Sequence, residues 1–320
     1  MIRNLLAGCL LLVCAGCSGD QDYSTAGAAP RQDTGGRAGH DAGKLNVLAT
    51  TGMIADAARN VGGDLVEVTA LMGPGVDPHL YQPTARDQGK LKSADLILYN
   101  GLHLEGKMVE VFESLARNKR VVAVSHDIPE DQLLSWADSA GMHDPHIWFD
   151  VQLWQQAVRT IAKAFADSDP KHAADYESRS AAYLKELEQL DGYCREQAGR
   201  LPEAQRVLIT SHDAFHYFGR AYGFEVVGIQ GISTDTEAGL KAITDAVDLI
   251  RSRKIRAIFP ETSVPRAAIE RVARDGQVQL GTELYSDALG SPDSPAGTYI
   301  GMIKTNIDTV VQSLESAGRE

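Results

Sequence analysis

Apolar strand patterns alternate with segments of helical spacing along most of the chain, and this alternation constrains the fold more than any other feature. LNVLAT (45–50) and LVEVTALM (65–72) have the composition of buried strands, and residues 51–62 between them have helical spacing. Chains that alternate in this way form a parallel sheet with helices on both faces. The sequence therefore predicts an α/β fold.

One long segment interrupts the alternation. Residues 151–201 carry almost no strand pattern, and helical spacing runs from Lys171 to Gly199, longer than in a typical globular helix. The alternation returns after Pro202. We therefore predict two doubly wound α/β lobes joined by one long rigid helix, with the functional site in the cleft between them. The expected bounds are 44–168 for the N-terminal lobe, 169–201 for the linking helix and 202–320 for the C-terminal lobe.

The N-terminus has the anatomy of a secretion signal. Arg3 precedes an apolar run from Leu5 to Ala15 that is too short to span a bilayer. Ala15-Gly16-Cys17 resembles a bacterial lipoprotein processing site, so we expect a signal peptide over 1–17 and a lipid on Cys17; a plain cleaved signal peptide is the alternative. Residues 18–43 are rich in Gly, Ala, Ser and Asp and are expected to form a flexible tether. The protein is then periplasmic and anchored to the membrane.

Charge and cysteine usage exclude several classes of protein. The net charge of −12 argues against nucleic acid or an anionic membrane surface as a partner. Three of the four cysteines lie in the N-terminal leader, and only Cys194 belongs to the body of the chain. An intramolecular disulfide and a thiolate metal site are therefore excluded there.

The tripeptide Asp-Pro-His occurs twice. Asp77-Pro78-His79 lies in a loop after a predicted strand, and Asp144-Pro145-His146 lies at the end of the first lobe. Proline fixes its own backbone angle and pushes the preceding residue to an extended conformation, so each histidine is presented rigidly. Each aspartate is placed to accept the other imidazole N–H or a backbone N–H.

Two further candidates follow predicted strands of the second lobe, His212 after RVLITS and Asp287 after VQLG. Ligands collect at the carboxyl ends of parallel strands, and imidazole nitrogens with one carboxylate suit zinc, manganese or iron. Glu261 is a candidate partner for a ligand, or a general base in a hydrolase. Taken singly, each candidate is more simply a hydrogen-bonded loop residue. Among the other histidines, His216 is expected on a helix face, and the surface is expected for His103, His126, His143 and His172.

Several stretches resemble, in the same order along the chain, the metal-binding solute receptors of bacterial zinc/manganese ABC importers. They are TTGMIADAARNVGGD, LMGPGVDPHLYQPT, ADLILYNGLHLE, DPHIWFDVQLW, SHDAFHYFGRAYGFEVVGIQGIST, ELYSDALG and GTYIGMIKTNIDT. The similarity extends from about Leu45 to Ser316. It implies one zinc or manganese ion per chain, held between two lobes by the residues that match family ligands: His79, His146, His212 and Asp287.

The family pattern also bears on the choice of metal. The third ligand is glutamate in several manganese receptors of this family and is His212 here. Zinc-specific receptors usually carry a long His- and acid-rich loop before the second ligand, whereas the interval from Ser125 to His146 is short. The resemblance therefore points toward the branch that takes zinc, manganese or both.

The resemblance implies a receptor rather than an enzyme. Such a protein captures the ion outside the cytoplasm and delivers it to the permease of an ABC importer, and we expect it to act as a monomer. One alternative is a periplasmic zinc hydrolase with the same ligands, but four protein ligands nearly fill a tetrahedral site, whereas a hydrolase needs an open position. The other alternative is a surface adhesin in which the metal is structural.

Overall fold

A computed structural model describes residues 43–136 and 141–316. The predicted signal peptide with Cys17, and residues 18–42 of the predicted tether, lie outside the described residues. Within the described ranges, none of the helices is both long and apolar enough to cross a membrane.

The first lobe is built on a parallel sheet in the order β2-β1-β3-β4. Its elements in chain order are β1 (Leu45–Ala49), α1 (Gly52–Gly62), β2 (Val66–Ala70), α2 (Ala85–Ser93), β3 (Leu96–Tyr99), α3 (Val109–Ala116) and β4 (Arg120–Ala123). Side chains of β1 alternate between two hydrophobic clusters: Val47 belongs to one, and Leu48 to the other. A strand buried on both faces is what a parallel sheet between two helical layers requires.

Two helices follow the first sheet. Asp150 caps α4 (Val151–Ser168) by accepting the backbone N–H groups of Gln152 and Leu153. Pro170 begins a 3-10 turn, Pro170–His172, so α5 (Ala173–Gly199) starts two residues later than the helical spacing suggested. With 27 residues, α5 is the long helix that the sequence predicts. It packs against α1 and α4 of the first lobe and against the C-terminal helix α9.

The second lobe repeats the strand order of the first. Its elements are β5 (Val207–His212), α6 (His216–Tyr222), β6 (Glu225–Gln230), α7 (Leu240–Arg253), β7 (Ala257–Ile258), α8 (Ala267–Gly276), β8 (Gln279–Leu280) and α9 (Tyr299–Ser316). The pairs β5-β6 and β7-β8 are parallel, and a parallel bridge between Thr210 and Phe259 joins them. The strands therefore lie in the order β6-β5-β7-β8. Together the two parallel sheets confirm the predicted α/β class, whereas the lobe boundaries 44–168, 169–201 and 202–320 stay predictions.

One helix begins later than its sequence pattern indicates. Helical spacing predicts a start at Thr236, but α7 begins at Leu240. The Gln230 side chain donates to the carbonyl oxygens of Thr234 and Thr236, at 3.0 and 2.6 Å. These hydrogen bonds hold the segment before α7 in a turn that competes with the helix.

One buried hydrophobic cluster extends from the first sheet into the second lobe. It contains Val47 of β1, Leu187 of α5, Leu208 of β5 and Ile303 of α9. Because densely packed cores resist deformation, the shared cluster restricts relative motion of the two sheets.

The close packing of α9 gives a test with a matched control. A Cβ at Gly301 in α9 would lie 1.9 Å from the Pro295 carbonyl oxygen, whereas a Cβ at Gly192 in α5 would meet nothing within 4 Å. We expect Gly301→Ala to lower the free energy of unfolding by roughly 1–3 kcal/mol through overpacking. Gly192→Ala should raise it by about 0.5–1 kcal/mol because alanine favours the helix. Urea denaturation measures both, and equal effects of the two substitutions would contradict the packing of α9.

Candidate metal centre

The structure brings the four predicted ligand residues together, two from each lobe. His79 lies in the loop after β2, His146 lies just before α4, His212 ends β5 and Asp287 lies between β8 and α9. All four side chains are buried, the most exposed at only 3%. One donor atom of each lies within 4.8 Å of a donor atom of every other. No local sequence element unites them, so only the tertiary fold creates the cluster.

Distances between the donor atoms suit a small divalent cation. His79 Nε2 lies 3.3 Å from His146 Nε2, and the Asp287 carboxylate oxygens lie 3.6 Å from His146 Nε2 and 3.4 Å from His212 Nε2. A tetrahedral ion with bonds of about 2.0–2.1 Å places its donors about 3.3–3.4 Å apart. In the described part of the chain, His212 Nε2 and Asp287 Oδ1 are buried without a hydrogen-bond partner. A bound cation would satisfy both atoms.

The two Asp-Pro-His loops share one hydrogen bond and differ in another. Both aspartates accept the backbone N–H of their histidine at 2.9 Å. Asp144 also lies 2.7 Å from His146 Nδ1, which fixes the tautomer that leaves Nε2 free for a ligand bond. Asp77 instead accepts the Thr234 hydroxyl of the second lobe at 2.6 Å. The predicted role of an aspartate that orients its imidazole therefore fits Asp144, whereas Asp77 links the loop to the other lobe.

Glu261 supports His212 as Asp144 supports His146. One carboxylate oxygen accepts the backbone N–H of His212 at 2.8 Å, and the other lies 2.5 Å from His212 Nδ1. Both side chains are fully buried. Both oxygens of Glu261 are thus engaged by His212.

The electrostatics of the site differ between its two sides. Burial and the neighbouring imidazoles lower the pKa of His79 well below its ordinary value, and burial does the same for His146. Burial alone would also lower the pKa of His212, but the Glu261 and Asp287 carboxylates raise it to about 10. Burial raises the pKa of Asp287 to about 7. In the metal-free site the positive charge of protonated His212 thus offsets the negative charge of the carboxylates, and a bound cation would replace that proton.

A second layer that sequence reasoning missed braces the His146 loop. The Asn100 side chain donates to the Pro145 carbonyl oxygen at 2.9 Å. Glu105 accepts the Asn100 backbone N–H at 2.8 Å and the Thr50 hydroxyl at 2.7 Å. Burial raises the pKa of Glu105, and these hydrogen bonds oppose that rise. Nothing in the local sequence indicates Pro145 as a partner of Asn100 or Thr50 as a partner of Glu105, because these partners lie 45 and 55 residues away in the chain.

Several contacts between the lobes also surround the site. The Trp148 indole donates to the Ser286 carbonyl oxygen at 2.9 Å, one residue before Asp287. The Tyr217 hydroxyl donates to the Asp144 carbonyl oxygen at 3.0 Å. Lys107 and Asp235 form an ion pair at 3.0 Å whose side chains are 43% and 46% exposed. The two buried contacts tie the His146 and Asp287 loops to the opposite lobe, whereas the exposed ion pair adds little.

The other histidines in the described ranges lie outside the cluster of four. His216 begins α6, as expected for a helix residue, and its Nε2 lies 2.8 Å from Asp213. His126 is exposed, and His143 lies 3.6 Å from Glu130. In the described ranges they are not among the residues grouped as possible metal ligands.

Comparison with known proteins identifies the class. Residues 47–313 match the family described as "Zinc-uptake complex component A periplasmic". The chain is 48% identical over 277 residues to the zinc-binding protein TroA of Treponema pallidum (strain Nichols), covering 85% of this chain and 89% of the relative. It is 44% identical over 277 residues to the manganese-binding lipoprotein MntA of Bacillus subtilis (strain 168), covering 85% and 90%.

Similarity extends to the three-dimensional structure. The solved structure of the periplasmic zinc-binding protein TroA from Treponema pallidum superposes with a TM-score of 0.83 at 48% identity, covering 85% of this chain and 99% of that one. The chain belongs to the family of periplasmic zinc-uptake components. The family resemblance carried by the sequence stretches is thereby confirmed.

The support that Glu261 gives to His212 can be tested by titration. In metal-free protein we expect NMR to show His212 protonated at pH 7, with a pKa near the value of about 10 that the two carboxylates produce. Glu261→Gln removes one of these charges, so the pKa should fall markedly toward the ordinary imidazole value of about 6.5. Glu130→Gln, at an exposed carboxylate, is the matched control and should leave His212 unchanged. An unaltered His212 titration in Glu261→Gln would refute the pairing.

Proposed function

We propose that the protein is an extracytoplasmic receptor that captures one divalent transition-metal ion, zinc or manganese, and delivers it to the permease of an ABC importer. The observation that carries the proposal is the buried group of three imidazoles and one carboxylate contributed by both lobes. Membership in the zinc-uptake family supports the same function. One relative is named for zinc and another for manganese, so both ions are candidates.

His79, His146, His212 and Asp287 are the proposed ligands. Their donor atoms are spaced for direct coordination, and two of the histidines have the Nδ1 partner that leaves Nε2 free. Asp144 and Glu261 orient these imidazoles, and Asp77 fixes the His79 backbone. No reaction is involved, because capture and release of the ion require only ligand exchange.

The hydrolase alternative lacks support from the geometry. All four proposed ligands are buried, and Glu261, the candidate base, is held by His212. A hydrolytic site needs an open coordination position and a free base near a substrate. A receptor that encloses its ion needs neither.

Delivery to a permease fits a protein held at the membrane surface. We infer that Cys17 carries a lipid, that residues 18–43 tether the folded part, and that the receptor acts as a monomer in the periplasm. The lipoprotein processing pattern supports the anchor, as does a relative named as a lipoprotein. The two lobes, 44–168 and 202–320, are joined by the linking helix, 169–201. Contacts of α5 with helices on both sides of it support this arrangement.

The ligand assignment predicts the outcome of a binding experiment. Metal-free mature protein titrated with zinc or manganese by calorimetry should bind one ion per chain. His146→Ala removes a central donor and should weaken binding by at least about 100-fold, since it leaves an incomplete coordination shell. His126→Ala, which removes an exposed histidine outside the cluster, should bind as the wild type does. Wild-type protein that binds neither ion would refute the proposed function.

Metal binding should weaken as the pH falls. The metal-free site holds a proton on His212, whose pKa is about 10, and Asp287 titrates near 7. A bound cation must displace these protons, so the affinity should fall roughly tenfold or more per pH unit between pH 7 and 5. Calorimetry in two buffers of different ionisation enthalpy counts the released protons. Affinity that stays constant over this range would exclude His212 and Asp287 as ligands.

A further inference from the structure

The Asp287 carboxylate presents both of its oxygens to the cluster. Oδ1 lies 3.6 Å from His146 Nε2, and Oδ2 lies 3.4 Å from His212 Nε2. The four side chains therefore offer five donor atoms, three nitrogens and two oxygens. Zinc prefers four donors in a tetrahedron, whereas manganese accepts a larger number and favours oxygen. The number of Asp287 oxygens that bind the ion thus affects which metal the site prefers.

The two oxygens of Asp287 are not equivalent. Ser263 Oγ donates to Oδ2 at 3.2 Å, whereas Oδ1 has no hydrogen-bond partner within the described residues. Ser263 lies in the loop after β7, next to the residue pair Glu261-Thr262. Asp287 is fully buried, so a single hydrogen bond makes a large difference to the charge at one oxygen.

A second hydroxyl fixes the direction of this hydrogen bond. Ser263 Oγ also lies 2.9 Å from the hydroxyl oxygen of the fully buried Ser286. A serine hydroxyl has one proton to donate. When Ser263 donates to Asp287, Ser286 must therefore donate to Ser263, and the two hydroxyls form a chain that ends on Oδ2.

We propose that the Ser263 hydroxyl determines the metal preference of this site by weakening Oδ2 as a ligand. A hydrogen bond to a carboxylate oxygen occupies a lone pair and draws charge from it, so Oδ1 is the stronger donor. Asp287 then binds the ion chiefly through Oδ1, and the shell of three nitrogens and one oxygen favours zinc over manganese. This inference rests on the proposed function, and Ser263 acts through Asp287 as a positioning residue.

The test compares zinc and manganese binding in variants that remove or keep the Ser263 hydroxyl. Metal-free wild-type protein and Ser263→Ala are each titrated with zinc alone and with manganese alone. In Ser263→Ala the freed Oδ2 should join the shell, and the ratio of the manganese to the zinc dissociation constant should fall roughly tenfold. Ser263→Thr keeps the hydroxyl and should retain the wild-type ratio. Thr262→Val removes a neighbouring hydroxyl that has no hydrogen-bond partner among the described residues, and it should also leave the ratio unchanged.

Cobalt gives an independent readout of the coordination number. Four-coordinate Co²⁺ absorbs visible light more strongly than five- or six-coordinate Co²⁺, so the visible absorption should weaken in Ser263→Ala. An unchanged ratio, or equal loss of affinity for both metals with an unchanged cobalt spectrum, would overturn the role of Ser263. Far-UV circular dichroism establishes that the variants are folded. Wild-type protein that binds neither zinc nor manganese would instead refute the proposed function itself.

Discussion

Burying ionisable groups destabilises a fold unless each group is paired, and this constraint explains most of what surrounds the four converging side chains. His146 is paired with Asp144 and His212 with Glu261, and each of these carboxylates also holds the backbone of its histidine. Asp287 accepts the Ser263 hydroxyl on Oδ2. Within the described residues, His212 Nε2 and Asp287 Oδ1 are among the buried atoms without a hydrogen-bond partner, and a cation bound between the four side chains would supply the missing charge.

The two lobes pair their buried ionisable groups in similar ways because they share a strand order. The strand orders are β2-β1-β3-β4 and β6-β5-β7-β8, and residues that follow strands of both sheets meet in one buried group. Each lobe contributes one histidine oriented by a buried carboxylate. The carboxylate is local in the first lobe, two residues before His146, but in the second lobe it comes from another strand end, 49 residues after His212. The two histidine–carboxylate pairs are thus chemically similar but differ in how far apart their residues lie in the sequence.

The separation of two contacting residues along the sequence determines whether their contact can be predicted from the sequence. The alternation of strands and helices predicts the α/β class, since side chains of β1 and β5 are buried on both faces, as parallel strands require. The repeated Asp-Pro-His singles out His79 and His146, because proline acts locally.

The links from Ser263 to Asp287, from Thr234 to Asp77 and from Asn100 to Pro145 join residues far apart in the chain. No periodicity or motif encodes such contacts. The start of α7 differs from the sequence prediction for a similar reason. The hydrogen bonds of the Gln230 side chain, rather than helix propensity, determine where the helix begins.

Hydrogen bonds between the lobes link the segments that carry His79, His146 and Asp287. Thr234 of the second lobe holds Asp77, which holds the His79 backbone. Trp148, two residues after His146, donates to the carbonyl oxygen just before Asp287. Separating the lobes would therefore move side chains of the buried group in both lobes, and their polar atoms would lose their mutual spacing together rather than one at a time. Because the shared hydrophobic cluster opposes such separation, the packing between the lobes keeps the four side chains at their mutual spacing.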